Sequence, residues 1–196
     1  MKRRTPPSLS AVFVNYHGYE RLEHNLHKLV DALFDYRLQI IIVDNSGQEA
    51  FNKCEQILEQ LPTSRQHAVT ALQNSQNCRF RAYNLGLRLA YGDFVVFRSD
   101  DDRFNEQAIA DALQSSALQE RDKVVAFSYT FDGTKEKNFT CRRPIETVLV
   151  PRSQLPQVHH VPEQSSGDWL FLERLHAQQD WYYSHHLLMD KVPHGR

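Results

Sequence analysis

Strand-like and helix-like segments alternate over the first half of the chain, and this alternation constrains the fold more than any other feature. Short apolar runs rich in β-branched and aromatic residues are each followed by a stretch whose leucines recur at helical spacing. Strands are predicted at 10–16, 40–43, 67–72 and 94–97, and helices at about 19–34, 50–61 and 79–91. The pattern is typical of a doubly wound α/β sheet with mostly parallel strands and right-handed crossovers.

The second half of the chain has a different pattern. A helix is predicted over Asn105–Leu118, strands over Lys123–Phe131 and Ile145–Val150, and a last helix over Gly167–Ala177. Successive strands without a helix between them fit antiparallel additions at an edge of the sheet. Because no linker rich in Gly, Pro and Ser interrupts the sequence, we expect residues 1–196 to form a single domain.

Composition excludes several classes of protein. The formal net charge of -1 gives no general surface for nucleic acid, so no nucleic-acid partner is expected. The chain has 3 cysteines and no C-x-x-C pair, which signals neither a disulfide framework nor a zinc site. The basic start Lys2-Arg3-Arg4 is not followed by the apolar segment of a signal peptide, and no apolar run is long enough to cross a bilayer. A cytoplasmic protein is therefore expected.

Two acidic turns follow predicted strands. Asp44 comes after the run 40–43, and the three carboxylates of Asp100–Asp102 come after the run 94–97. Such a turn either caps the following helix or holds a divalent cation together with a substrate phosphate. Since parallel strands bring both turns to one edge of the sheet, a shared ligand site is favoured. A dinucleotide fingerprint is absent after the first strand, where residues 14–18 read Val-Asn-Tyr-His-Gly.

Five segments resemble motifs of the inverting family 2 of nucleotide-diphospho-sugar glycosyltransferases, which have the GT-A fold. The resemblance covers nearly the whole chain, in the order that the family has. The segments are Ser10–His17 (S-V-V-I-V-N-Y-N), Ile40–Ser46 (I-I-V-V-D-D/N-x-S), Asn77–Leu87 (N-x-G…A-R-N-x-G-L), Gly92–Asp102 (G-D-Y-I-x-F-L-D-x-D-D) and Gly167–Leu175 (E-D-W-x-L-x-x-R-L). This resemblance implies a GT-A (Rossmann-like) domain with a nucleotide-sugar-binding half, 1–104, and an acceptor half, 105–196.

The resemblance also implies an activity. It predicts a metal-dependent, inverting transfer from a nucleotide-diphospho-sugar, with a UDP-sugar favoured, to a hydroxyl of a saccharide or lipid-linked acceptor. Mn²⁺ or Mg²⁺ would offset the charge that develops on the leaving diphosphate. A lipid-linked acceptor would bring peripheral contact with a membrane, while the oligomeric state is not indicated. The alternative is a non-catalytic GT-A module that binds nucleotide or a partner subunit. A nucleotidyltransferase is disfavoured because its glycine-rich, lysine-containing N-terminal signature is absent.

The resemblance assigns the metal to Asp101, at the second aspartate of the family's D-x-D motif. Ser99 occupies the first position of that motif, and Asp100 is expected to compensate by meeting the ribose or the metal. His194 corresponds to a late R-x-H histidine that could approach the metal or the phosphates. For His194 the competing interpretation is a chain-terminal residue without a role.

Nucleotide contacts are predicted for the first two strands and the third helix. Tyr16 would stack on the base, and Asp44 would accept from an imide N–H or a ribose hydroxyl; alternatively these are a core tyrosine and an Asx-turn aspartate. Arg79 and Arg81 replace the small residues that the family has. Either arginine would bind the diphosphate, or both are exposed residues at a helix start.

The general base is assigned by resemblance to Asp168, at the start of the last helix. It would take the proton of the attacking hydroxyl. The competing interpretation is a helix N-terminal acid stabilised by the macrodipole. Gly167 stands where the family usually has Glu.

Overall fold

A single sheet of nine strands forms the centre of the protein, in a computed structural model that describes residues 7–61, 67–115, 122–135, 140–158, 160–178 and 181–192. The first half of the chain contains β1 (Ser8–Asn15), α1 (Tyr19–Ala32), β2 (Arg37–Asp44), α2 (Gln48–Gln60), β3 (His67–Gln73), α3 (Arg79–Leu89) and β4 (Phe94–Ser99). The second half contains β5 (Arg103–Phe104), α4 (Gln107–Gln114), β6 (Val125–Phe131), β7 (Thr134–Lys135), β8 (Val148–Pro151), α5 (Leu155–Val158), α6 (Gly167–His176) and β9 (Tyr182–Lys191).

The strand order is β3-β2-β1-β4-β8-β6-β9-β5, with β7 paired to β6. The first four strands are parallel to one another, whereas β8 runs antiparallel to both β4 and β6. The predicted α/β class, a mostly parallel doubly wound sheet with antiparallel additions, is confirmed. Strands from both halves of the chain belong to this sheet.

Helices cover both faces of the sheet, which explains the continuous apolar runs of the central strands. Along β2, Ile40 and Ile42 belong to the core that contains α1 and α2, while Ile41 and Val43 belong to the core that contains α3 and α6. Every side chain of β2 from Leu38 to Asp44 is therefore buried. None of the helices within the described ranges is long and apolar enough to cross a membrane.

Three of the differences from the sequence prediction concern the longer elements of the second half of the chain, which also contains the unpredicted short elements β5, β7 and α5. Strand β9 was not predicted, because its ten residues include polar ones and its pairing with β6 is broken by register shifts. Residues Ile145–Thr147 form a 3-10 turn, so β8 begins only at Val148. Helix α4 ends at Gln114, and Ser115 is extended; residues 116–118 of the predicted helix lie outside the described residues.

Candidate active site

The carboxyl ends of β1, β2 and β4 meet at one edge of the sheet. Asn15 is in register with Asp44, and Val14 is in register with Ser99. The register therefore brings the turn after Asp44 and the turn Asp100–Asp102 to the same edge, as the sequence predicted. Open α/β sheets bind their ligands at this edge.

Asp44 is fully buried and keeps one carboxylate oxygen unused. Its Oδ1 accepts hydrogen bonds from Asn15 Nδ2 at 2.7 Å and from Ser46 Oγ at 2.8 Å. Its Oδ2 is buried without a hydrogen-bond partner among the residues that the structure describes. The Tyr19 hydroxyl is a nearby donor that is likewise buried and unpaired within the described residues. Burial raises the pKa of Tyr19 and its interaction with Asp44 raises it further, so a ligand would compete with Tyr19 for Oδ2. Tyr16, which follows β1 directly, has 52% of its surface exposed and can present its ring to the same ligand.

Asp100 connects the turn after β4 to the turn after β1. Its Oδ2 accepts from the backbone N–H of Tyr16 at 2.7 Å and of Gly18 at 3.1 Å. A side chain at position 18 would overlap this carboxylate, so the close approach requires glycine. Burial raises the pKa of Asp100 to about 6, against the lowering effect of the two N–H donors. Asp100 thus orients Tyr16, and a contact with ribose or a metal would use Oδ1.

The other two carboxylates of this turn have different surroundings. Asp102 is fully buried; its Oδ2 lies 3.3 Å from Lys191 Nζ and accepts from Ser99 Oγ at 3.0 Å. Burial nevertheless raises the pKa of Asp102, with Lys191 opposing this change. Asp101 is half-buried, and its backbone carbonyl accepts from Arg21 Nη1 at 2.5 Å. Of the three acids, Asp101 is the least buried.

Asp168 lies in the first turn of α6 and is 9% exposed. Its Oδ1 accepts from the backbone N–H of Trp169 at 3.0 Å, and its Oδ2 lies 3.7 Å from Arg79 Nη2, at the start of α3. Burial raises the pKa of Asp168; Arg79 lowers it, and the negative charge of Glu146 raises it. A carboxylate with a raised pKa is a better proton acceptor near neutral pH than an ordinary aspartate.

Glu146 is a member of this site that the sequence analysis missed. It lies in the turn before β8 and is 1% exposed; its Oε1 accepts from the Tyr83 hydroxyl at 2.6 Å. Its Oε2 is buried with no hydrogen-bond partner among the described residues. The charge of Glu146 raises the pKa values of both Asp168 and Asp102, so it lies among the site's acids. The available signal was a single carboxylate inside the apolar run Ile145–Val150.

A cavity of about 330 Å³ lies beside Asp168. Four cationic side chains line it, and aromatic rings form another part of its wall; the cationic residues are Arg79, Arg142, Arg143 and Lys191. Except for Arg79, these cations were not predicted from the sequence.

Two further residues were predicted to contact the diphosphate or the metal, Arg81 and His194. Arg81 Nη1 donates to Gln76 Oε1 at 3.1 Å in the turn before α3, whereas Arg79 contacts Asp168. His194 lies outside the described residues. Within the described ranges, no three His, Cys, Asp or Glu side chains come together in a way that could hold a metal ion.

Close packing around position 167 explains why glycine stands there. A side chain at this position would overlap the carbonyl oxygen of Pro162 and lie 3.0 Å from its carbonyl carbon. The glutamate that the family usually has here would therefore require a shift of the backbone.

The mixed α/β sheet, with the carboxyl ends of its parallel strands at one edge, is a GT-A fold. The sequence profile described as "Glycosyl transferase family 2" matches residues 10–178. The chain belongs to this family. No curated protein gives a significant match to the sequence.

Solved structures share the fold at low identity. TarS 1-349 from S. aureus, in complex with UDP-GlcNAc, aligns with a TM-score of 0.73 and 16% identity, covering 96% of this chain and 59% of that chain. The mannosyltransferase PcManGT from Pyrobaculum calidifontis, in complex with GDP-Man and Mn²⁺, aligns with a TM-score of 0.71 and 16% identity, covering 96% and 57%. The chain thus spans less than two thirds of the length of these two proteins.

Proposed function

We propose that the protein transfers a glycosyl group from a nucleotide-diphospho-sugar to an acceptor hydroxyl, with inversion. The proposal rests on one observation, which is that the acidic turns after β2 and β4 lie at the same edge of the sheet. The nucleotide-side acids Asp44 and Asp101 lie at the carboxyl ends of the parallel strands, and Asp168 faces a cavity large enough for an acceptor.

The base and ribose are assigned to the ends of β1 and β2. The exposed ring of Tyr16 would stack on the base, and the unused Oδ2 of Asp44 would accept from an imide N–H. Uracil and guanine both carry such a donor, and the two fold relatives named above were solved with UDP-GlcNAc and GDP-Man. We favour a UDP-sugar.

The diphosphate is assigned to the turn after β4 and to the start of α3. The donor set fits Mn²⁺ or Mg²⁺, because such a cation is commonly held by one or two carboxylates together with substrate phosphates. Asp101 would hold it, with Asp100 Oδ1 and His194 as further candidates. When bound, the cation would offset the charge on the leaving diphosphate. Arg79 would bind phosphate oxygens through its guanidinium fork, with Arg81 as the second candidate.

Asp168 is assigned the role of general base. Its carboxylate lines the cavity, so an acceptor hydroxyl there would give its proton to Asp168 while its oxygen attacks the sugar carbon. The bond to the diphosphate breaks in the same step, and single displacement inverts the configuration. The alternative of a non-catalytic module predicts nucleotide binding without turnover.

Calorimetric titration of UDP, GDP, dTDP and CDP with and without Mn²⁺ tests the donor site. We expect Mn²⁺ to strengthen the binding of one diphosphate, and Asp101→Ala to remove that gain. Asp31→Ala changes an exposed acid of α1 and serves as the matched control. Equal Mn²⁺-dependent affinity in wild type and Asp101→Ala would exclude Asp101 as a ligand. Incubation with the corresponding nucleotide sugars then separates slow release of the diphosphate from tight binding without turnover.

A further inference from the structure

The charges in the wall of the cavity beside Asp168 are balanced within the protein. Three cationic residues of the wall are each paired with a carboxylate; the pairs are Arg79–Asp168 at 3.7 Å, Lys191–Asp102 at 3.3 Å and Arg142–Glu173 at 2.9 Å. Burial lowers the pKa of Arg79 and of Lys191, but the charge of Glu146 raises both. An anionic ligand would have to displace one of these carboxylates, whereas an uncharged ligand would leave the balance intact.

Arg143, the fourth cationic residue of the wall, is 1% exposed. Its Nε donates to Thr147 Oγ1 at 2.7 Å and its Nη2 donates to the carbonyl oxygen of Phe127. The guanidinium carbon lies 5.4 Å from the centre of the Tyr129 ring. These contacts hold the guanidinium inside the protein, so Arg143 offers a ligand very little surface.

Two exposed aromatic rings form the apolar part of the wall. Trp169, in the first turn of α6, and Phe131, the last residue of β6, are both 43% exposed. Trp169 directly follows the proposed base, and its backbone N–H donates to Asp168 Oδ1 at 3.0 Å. A single exposed apolar side chain is ordinary, but two rings in the wall of one cavity indicate a ligand with an apolar face.

Hydrogen-bonding groups lie beside these rings. The Arg142 side chain is 69% exposed, and within the described residues only its Nε contacts Glu173, so its terminal nitrogens can donate to a hydroxyl oxygen. The carboxylate of Asp168 can accept from a hydroxyl. A sugar ring has hydroxyl groups around its rim and C–H groups on its faces, so it matches both parts of the wall.

We propose that the acceptor is an uncharged saccharide, one ring of which lies against the indole of Trp169. The inference rests on the proposed function, in which Asp168 takes the proton of that acceptor. The cavity of about 330 Å³ is at the small end of ligand pockets, which suits one sugar unit at a time. Trp169 thus helps to determine specificity, because it favours a ring with an open C–H face.

Intrinsic fluorescence tests this inference without catalysis, because the chain has 2 tryptophans that differ in exposure. Trp181 is 7% exposed, so a sugar in the cavity changes mainly the emission of Trp169. Titrations use two matched pairs of probes, methyl β-D-glucoside with its glucuronide and methyl β-D-galactoside with its galacturonide, with and without UDP and Mn²⁺. We expect the neutral member of at least one pair to shift the emission to shorter wavelength and to bind more tightly than its charged counterpart.

Variants locate the effect. Trp181→Phe should keep the fluorescence response. By calorimetry, Trp169→Ala should bind the neutral glycoside about tenfold more weakly, whereas Trp169→Phe, which keeps a ring, should retain most of the affinity. Tyr182→Ala is the matched control, since Tyr182 is 39% exposed and is not part of the cavity wall; it should leave the affinity unchanged.

Three results would each overturn the inference: no response to any neutral glycoside, tighter binding of the charged member of a pair, or equal affinity in Trp169→Ala and wild type. The proposed function is decided separately by Asp168→Asn. An undiminished rate of donor hydrolysis in that variant would remove the proposed base, while the titrations would still decide whether a sugar binds at Trp169.

Discussion

The guanidinium of Arg79 lies 3.7 Å from the carboxylate of Asp168, at the wall of the cavity assigned to the acceptor. Arg79 lowers the pKa of Asp168, but burial, the largest effect, and the charge of Glu146 both raise it. Besides burial, the protonation of the proposed base depends on one cation and one anion from different elements, α3 and the turn before β8.

Removing these two charges should move the pH dependence in opposite directions. A general base works only when deprotonated, so activity falls as the pH drops through the pKa of Asp168. Glu146→Gln removes a negative charge, lowers that pKa and should move the acid limb of kcat/KM to lower pH. Arg79→Gln removes a positive charge and should move the limb to higher pH. The measurement is nucleoside diphosphate release from the nucleotide sugar across a pH series.

Glu173→Gln is the matched control for this pair, since it removes a more exposed carboxylate from α6. It should leave the acid limb in place. If both Arg79→Gln and Glu146→Gln moved the limb in the same direction, Asp168 would not be the titrating group.

Asp168→Asn separates the proposed base from a helix-start acid. Asparagine keeps the side-chain oxygen that accepts from the Trp169 N–H but loses the basicity. We expect donor affinity to be retained and the rate of transfer, or of donor hydrolysis, to fall by about 10²–10⁴-fold. An undiminished rate in single-turnover assays would assign Asp168 to the helix start, and Glu163 would become the next candidate base.

The nucleotide side of the site could be predicted because local sequence determines it. Asp44 and Asp100–Asp102 directly follow buried strands, and parallel pairing then brings the ends of those strands together whatever the details of packing. Alternation of strands and helices was enough to predict this part of the fold.

The acceptor side depends on contacts between distant segments. Glu146 belongs to the site because β8 returns antiparallel beside β4, and Lys191 reaches Asp102 because β9 pairs with β6. Neither pairing has a local signature, and β9 also lacks a simple alternation of apolar and polar residues. The charge balance around Asp168 therefore could not be derived from spacing along the chain.

Tyr16→Ala should weaken nucleotide binding without unfolding the protein. The ring is 52% exposed, so the folded state loses little packing, whereas base stacking on an aromatic ring is worth about 1–3 kcal/mol. Tyr91 offers a matched control: it is 53% exposed but precedes β4, at the opposite edge of the sheet. Calorimetry with UDP and Mn²⁺ should show a larger dissociation constant for Tyr16→Ala and an unchanged one for Tyr91→Ala. Normal affinity in a folded Tyr16→Ala protein would place the base elsewhere.

The stability of the folded protein should depend on the buried ion pair between Arg98, near the end of β4, and Glu106. Arg98 Nε and Nη2 donate to the two carboxylate oxygens of Glu106 at 2.7 and 2.6 Å, and both side chains are almost completely buried. Arg98 Nη1 also donates to the backbone carbonyl of Glu146 at 3.2 Å, and the guanidinium lies 4.6 Å from the centre of the Phe104 ring.

Because removing one partner leaves an unpaired charge in the core, Arg98→Met should lower the free energy of unfolding by about 3–5 kcal/mol. Arg142→Gln removes one partner of the exposed pair with Glu173 and should cost at most about 1 kcal/mol. The measurement is urea unfolding followed by circular dichroism at neutral pH. The double variant Arg98→Met/Glu106→Leu should recover part of the loss, since a buried ion pair is often replaceable by well-packed apolar side chains. A loss in Arg98→Met no greater than that in Arg142→Gln would show that the buried pair is not what stabilises this end of β4.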